Sequence, residues 1–88
     1  MSVEFDPIKA KLNKRKHGIG FAEADQALLD PMAYTVEDPD AQGEPRIISL
    51  GEDALGRVLV VVHTQRGERT RLISARKASR KEASQYRA

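Results

Sequence analysis

The alternation of apolar and polar positions is strongest in the second half of the chain, where it predicts a β-sheet. Three stretches rich in β-branched residues, 46–50, 57–64 and 69–75, are separated by the glycine-containing segments 51–56 and 66–68. These connections are short enough for antiparallel hairpins. A shorter strand is predicted at 33–36. Positions 58–62 are apolar throughout, so we expect both faces of that strand to be covered.

Two helices are predicted before these strands, after a short extended segment at the start of the chain. Asp6-Pro7 suits the N-cap and first position of a helix that ends at Gly18. Ile8 and Leu12, four residues apart, form its apolar side, and its lysines lie largely on the other sides. A second helix is predicted over 21–30.

The last helix is predicted to begin at Ser79. Ser79 and Glu82 have the S-x-x-E spacing of a capping box, in which each side chain accepts a hydrogen bond from the other residue's backbone N–H. Four cations surround this cap, although a helix N-terminus disfavours each by roughly a few tenths of a kcal/mol: Arg76, Lys77, Arg80 and Lys81. Because helix N-termini favour anions, a bound polyanion explains the cluster better than folding does.

The order β-α-α-β-β-β-β-α predicts an α+β fold. We expect an antiparallel sheet, a meander, packed with two N-terminal helices and one C-terminal helix. A length of 88 residues predicts a single domain over 1–88. The absence of cysteine and of a hydrophobic leader or membrane-length apolar run predicts a cytoplasmic protein that does not contact a membrane.

Charge is strongly segregated along the chain. The net charge is +3 over residues 1–20, −8 over 21–56 and +7 over 57–88, although the total is only +2. Two interpretations stay open at this level. Either a basic face binds a polyanion, or the oppositely charged segments fold together and neutralise one another.

The residue types available for chemistry are arginine, lysine, histidine, carboxylate and tyrosine. Thiol, phosphate-loop and serine-hydrolase motifs are absent, and neither histidine has a second ligand at metal-binding spacing, so we predict no metal and no cofactor. The acidic residues of 37–44 match no calcium loop and are interpreted as solvated. The remaining set can cleave RNA: a base activates the 2′-hydroxyl, cations stabilise the phosphate, and the leaving 5′-oxygen takes a proton.

Two long segments resemble a known family. "FDPIKAKLNKRKHGIGFAEA" near the start and "GRVLVVVHTQRGERTRLISARKASRKEASQY" at the end are similar to the BrnT family, the toxins of bacterial type II toxin–antitoxin modules. The most specific parts are the "F-D-P…K…N…K-H-G" opening and the "ISARKAS" segment. The resemblance implies a RelE-like fold and ribonuclease activity that arrests growth. It also implies neutralisation by a BrnA-like antitoxin with a ribbon-helix-helix region, and repression of the shared operon by the complex, with the toxin reaching operator DNA only through the antitoxin.

By this resemblance we expect the site on a basic surface of the sheet with a C-terminal aromatic residue. The catalytic candidates are His17, Arg57, Arg76, Lys77, Glu82 and Tyr86, and the RNA-binding candidates are Lys14, Lys16, Arg80 and Lys81. His17 is the candidate for proton transfer, because histidine is the residue type that titrates near neutrality.

Alternatives stay open for three of these residues and for the function itself. His17 can instead be a partner of its helix dipole, Glu82 can serve only as the cap, and Tyr86 can be a core anchor. The protein can also be a nucleic-acid-binding module without catalysis, although its aromatic content of 5% is low for base stacking. A co-repressor subunit is the third possibility.

Overall fold

A computed structural model of the protein describes residues 2–88 and contains five strands and three helices. In chain order they are β1 (Ser2–Glu4), α1 (Pro7–His17), α2 (Phe21–Leu28), β2 (Tyr34–Glu37), β3 (Ile47–Glu52), β4 (Val58–Arg66), β5 (Arg69–Lys77) and α3 (Arg80–Arg87). The predicted α+β class and element order are confirmed. No helix in residues 2–88 is long and apolar enough to cross a bilayer.

The five strands form one mixed sheet in the order β1-β5-β4-β3-β2. Strands β2 to β5 pair with their neighbours in antiparallel fashion. β1 lies parallel to β5, from Ser2 opposite Arg69 to Glu4 opposite Arg71. The prediction of an antiparallel sheet is therefore wrong. A three-residue strand has too few positions to carry a pairing signal of its own, and its direction follows from where the chain leaves for α1.

Helices cover both faces of the sheet. The larger core, between α1, α2 and the sheet, consists of Ile19, Phe21, Ala24, Ala27, Leu59, Val61, Leu72 and Ala75. On the other face Leu50, Val58 and Val60 form a second cluster, against which Ala83 and Tyr86 of α3 pack. Both faces of β4 are thus covered, as its uninterrupted apolar run predicts.

The connection between β3 and β4 is shorter than predicted, because Gly51 lies inside β3. A Cβ atom on Gly51 would lie 2.0 Å from the carbonyl oxygen of Ala27. Glycine at this position therefore lets α2 pass directly over the strand.

Helix α1 does not bury the side that the sequence indicates. Ile8 and Leu12 are 70% and 55% exposed. Ala10 packs against the larger core instead, and Asn13 is buried beneath the helix.

Candidate functional site

Helix α1 begins and ends where the sequence predicts, and its caps fix the position of its cationic last turn. The carboxylate of Asp6 accepts a hydrogen bond from the backbone N–H of Ile8 at 2.9 Å. Gly18 takes a left-handed conformation with φ of 75° and donates its N–H to the carbonyl of Lys14. Lys14 and Lys16 are exposed, and His17 is half-buried.

Asn13 attaches this helix to the edge of β5. Its Nδ2 donates to the carbonyl oxygens of Ala75 at 2.8 Å and Ile19 at 2.9 Å, and its Oδ1 accepts from the N–H of Ala75 at 3.0 Å. Within residues 2–88, β1 pairs with β5 only as far as Arg71. The Asn13 amide therefore forms with the N–H and carbonyl of Ala75 the two hydrogen bonds that a neighbouring strand would otherwise form.

A β-bulge at Ile73 lies next to this attachment. Val62 faces Ser74 and the next residue, His63, faces Leu72, so Ile73 has no partner on β4. The bulge changes which side chains face α1 and α2: Ala75 is fully buried in the larger core, whereas simple alternation places it with the exposed Arg69. Such bulges are frequent beside functional sites.

A groove of about 230 Å³ runs between α1 and the bulge. Its lining is Lys9, Leu12, Asn13, Lys16, His17, Ile73 and Ser74. It thus brings the candidates His17 and Lys16 together with Lys9, a third basic residue that the sequence did not single out as a site residue. The volume and the basic lining suit a phosphate group with part of its ribose.

Glu82 caps α3 and binds one of the four cations around the start of this helix, Arg76. The capping box is formed as predicted: the N–H of Ser79 donates to Glu82 Oε1 at 2.8 Å, and the N–H of Glu82 donates to Ser79 Oγ at 3.2 Å. The guanidinium of Arg76 also binds both carboxylate oxygens of Glu82, at 2.8 and 2.9 Å. These hydrogen bonds from Arg76 lower the pKa of Glu82 to about 2. Glu82 is therefore a carboxylate throughout the physiological range and a weak proton acceptor.

Arg76 lies on the same face of β5 as Ser74 in the groove lining, since their partners on β4 are Val60 and Val62. Two residues along a strand span about 7 Å. The remaining cations of this cluster, Lys77, Arg80 and Lys81, are exposed. We call Arg76, Lys77, Arg80 and Lys81, which span the end of β5 and the start of α3, the basic strip.

Arg57 forms an ion pair with Asp53. Its Nε and Nη2 contact Asp53 Oδ2 at 2.8 and 2.7 Å, and the Asp53 side chain is completely buried. Burial opposes ionisation of Asp53, but the hydrogen bonds from Arg57 and from backbone N–H groups hold its pKa below the usual value. The pair closes the turn between β3 and β4.

Tyr86 connects α3 to the end of α2. Its hydroxyl donates to Asp30 Oδ2, and the same carboxylate accepts from the backbone N–H groups of Met32 and Glu52. The bond to Asp30 and burial raise the pKa of Tyr86 to about 12. Together with its packing on the second cluster, these contacts favour the anchor interpretation of Tyr86.

A polar chain crosses the sheet from the buried His63 and Ser49 to the exposed Thr35, and the sequence pattern did not indicate it. His63 Nε2 and Ser49 Oγ are 2.8 Å apart, and Ser49 Oγ is 3.0 Å from Thr35 Oγ1. Burial lowers the pKa of His63, which favours its neutral form. Ser49 and His63 are only 3% and 9% exposed, so substrate cannot reach them.

Acidic groups are not clustered for metal binding in the described part of the chain. Among residues 2–88, no three histidine or acidic side chains are close enough to hold an ion. In the acidic loop, Asp38 accepts a hydrogen bond from the N–H of Asp40. Glu44 in the same loop contacts Arg66 at 3.4 Å.

Comparison with known proteins shows the family to which this fold belongs. The family model described as the ribonuclease toxin BrnT of type II toxin–antitoxin systems matches residues 5–82. The crystal structure of the Brucella abortus ribonuclease toxin BrnT is similar, with a TM-score of 0.71 and 26% sequence identity over 91% of this chain and 99% of that chain. A search of curated proteins found no significant match. The chain belongs to the BrnT family of ribonuclease toxins of type II toxin–antitoxin systems.

Proposed function

We propose that this protein is a metal-independent endoribonuclease with a RelE-like fold that cleaves RNA in the groove between α1 and β5 and thereby arrests growth. The observation that carries the proposal is the meeting of His17, Lys16 and Lys9 in one groove of about 230 Å³. The membership of this chain in a family of ribonuclease toxins supports the proposal.

The proposed reaction uses the RNA's own 2′-hydroxyl. His17 accepts the proton of this hydroxyl, the 2′-oxygen attacks phosphorus, and the bond to the 5′-oxygen breaks. The departing 5′-oxygen takes a proton from water in the open groove. Lys9 and Lys16 stabilise the extra negative charge of the pentavalent phosphate. The products are a 2′,3′-cyclic phosphate and a 5′-hydroxyl, and DNA is not a substrate.

The basic strip, together with Lys14 of α1, holds the RNA backbone in this proposal. Lys14, Lys77, Arg80 and Lys81 contribute charge. Arg76 contributes a guanidinium whose orientation Glu82 fixes through two hydrogen bonds. Two of the catalytic candidates have structural roles in this proposal. Arg57 holds the turn between β3 and β4 through Asp53, and Tyr86 holds α3 through Asp30.

The test is cleavage of an RNA oligonucleotide by purified protein in EDTA. We expect a cyclic phosphate product, and no cleavage when the scissile nucleotide is 2′-deoxy. His17→Ala is expected to slow cleavage at least 100-fold and Lys16→Ala about 10-fold. Arg46→Ala removes an exposed cation elsewhere and serves as the control. Cleavage that requires a divalent ion, or that survives in His17→Ala, refutes the mechanism. Salt-sensitive binding without cleavage instead supports a nucleic-acid-binding module.

We also propose the partner and the regulation. A BrnA-like antitoxin with a ribbon-helix-helix region neutralises the protein in the cytoplasm, and their complex represses the operon. Membership of a type II toxin–antitoxin family supports this. In a mobility-shift assay we expect operator DNA to bind the complex and the antitoxin, but not the toxin alone. A complex that binds the operator no better than the antitoxin alone contradicts a co-repressor role.

A further inference from the structure

Helix α1 exposes an apolar patch with a cationic border. Ile8 and Leu12, at 70% and 55% exposure, line a second groove of about 140 Å³ together with Lys11 and Arg15. We call these four residues the outer face of α1. Their spacing of three, four and seven residues is the spacing with which a helix presents anchors to a partner.

The cations of this helix are not paired with carboxylates in the part of the chain that the structure describes. α1 carries five lysines and arginines and no acidic residue. None of the ion pairs found within residues 2–88 involves one of these cations. The arginines of the second half of the chain differ, since Arg57, Arg66 and Arg87 each contact a carboxylate of the acidic middle segment.

Apolar exposure and charge together limit what can cover this face. A nucleic acid backbone would neutralise Lys11 and Arg15 but would leave Ile8 and Leu12 against water. A purely apolar protein segment would bury the two aliphatic side chains, but it would also desolvate the flanking cations without compensation, which is unfavourable. A segment with apolar anchors and carboxylates at its borders satisfies both requirements.

We propose that the outer face of α1 is the docking surface for an acidic, amphipathic segment of the antitoxin. Its apolar side chains cover Ile8 and Leu12, and its carboxylates pair with Lys11 and Arg15. This inference rests on the proposed antitoxin partnership, and it adds the surface and the chemistry of recognition.

The position of the surface also explains how binding neutralises the toxin. Leu12 lines both the outer groove and the groove that contains His17 and Lys16. A segment seated over Leu12 therefore narrows the entrance to the proposed cleavage site. Its carboxylates also offset the positive potential that attracts RNA.

The test measures antitoxin binding and RNA cleavage on the same preparations. The probe is the protein encoded beside this gene, titrated against wild type, a Lys11→Glu/Arg15→Glu variant and an Ile8→Ser variant. The control, Arg46→Glu/Arg66→Glu, makes the same change in charge at exposed sites outside α1. We expect binding to weaken at least 10-fold in the charge variant and about 5-fold in Ile8→Ser. The control is expected to bind like wild type, and every variant is expected to cleave RNA.

The outcomes separate this inference from the proposed function. Wild-type affinity in both α1 variants, or equal weakening in the control, overturns the docking surface. Loss of RNA cleavage with unchanged antitoxin binding also overturns it, and shows the face to be an RNA surface. A wild type that binds the probe but cleaves no RNA contradicts only the ribonuclease proposal. A wild type that does not bind the probe overturns both the partnership and its surface.

Discussion

Replacement of Asn13 by alanine tests whether the attachment of α1 to the β5 edge stabilises the fold. The change removes three hydrogen bonds and leaves the N–H and carbonyl of Ala75 and the carbonyl of Ile19 without their partner. A buried hydrogen bond contributes about 1 kcal/mol net, and an unsatisfied buried group costs about 1–3 kcal/mol. Water can enter from the adjacent groove and satisfy part of this loss, so we expect a decrease of about 3–4 kcal/mol in the free energy of unfolding. The whole free energy of unfolding of a small domain is about 5–15 kcal/mol, so this loss is a large part of it.

The assay is urea unfolding followed by far-ultraviolet circular dichroism, because the chain contains no tryptophan. Lys14→Ala, at the exposed neighbouring position, is the control and is expected to change stability by less than about 0.5 kcal/mol. A loss below about 1 kcal/mol in Asn13→Ala would refute the reasoning, because it would mean that the attachment contributes little.

Asn13→Asp supplies a second, pH-dependent readout. The carboxylate can still accept from the N–H of Ala75, but its other oxygen would face the carbonyls of Ala75 and Ile19. Burial and these carbonyls would raise the pKa of the new side chain in the folded state above its unfolded value of about 3.9. We therefore expect Asn13→Asp to be less stable than Asn13→Ala at pH 7. The stability of Asn13→Asp should approach that of wild type as the pH falls, because the protonated side chain can donate a hydrogen bond to one of these carbonyls.

Three further predictions concern α3 and the β3 strand. The pKa of Glu82 is lowered to about 2 from 4.5, so the interactions of its carboxylate stabilise the fold fully above pH 4.5. In urea unfolding, the difference in free energy of unfolding between wild type and Glu82→Gln should therefore disappear as the pH falls from about 4.5 to 2. Tyr86→Phe keeps the ring but removes the hydrogen bond to Asp30, and we expect a loss of about 1–2 kcal/mol by urea unfolding with RNA cleavage retained. Unchanged stability would show that the bond is unimportant, and lost cleavage would restore Tyr86 as a catalytic candidate. Gly51→Ala places a Cβ at 2.0 Å from the Ala27 carbonyl, so we expect more than about 3 kcal/mol of destabilisation; a soluble variant with wild-type thermal unfolding contradicts the close approach.

The local features of the candidate site were predictable from the sequence. The caps of α1 and the capping box of α3 follow from residues within four positions of one another, and all are formed. The pairing of Arg76 with Glu82 was not predicted, although both residues were candidates. A guanidinium can reach a carboxylate six residues away only after the strand has ended and the helix has turned back, and that geometry depends on packing.

The bulge at Ile73 and the role of Asn13 could not be predicted. Simple alternation places Ala75 on the face of Arg69 and Arg71, and one unpaired residue reverses this. The partner of Asn13 at Ala75 is 62 residues away in the chain. The one sequence signal for Asn13 is a residue of low helix propensity in the middle of a lysine-rich helix.

The family, the α+β class, the order of the elements and the segregation of charge follow from the sequence alone, because caps, strand alternation and motif spacing are local properties. The partners of the charged side chains, in contrast, depend on how the elements pack in three dimensions. The acidic middle segment contacts arginines of the second half of the chain, whereas the cations of α1 find no acid within residues 2–88. Mutual neutralisation therefore applies to the acidic middle segment, whereas polyanion binding by the basic face stays a prediction. The physical reason is that ion pairs form between neighbours in space, and the sheet brings the middle of the chain beside its end while α1 lies along the β5 edge.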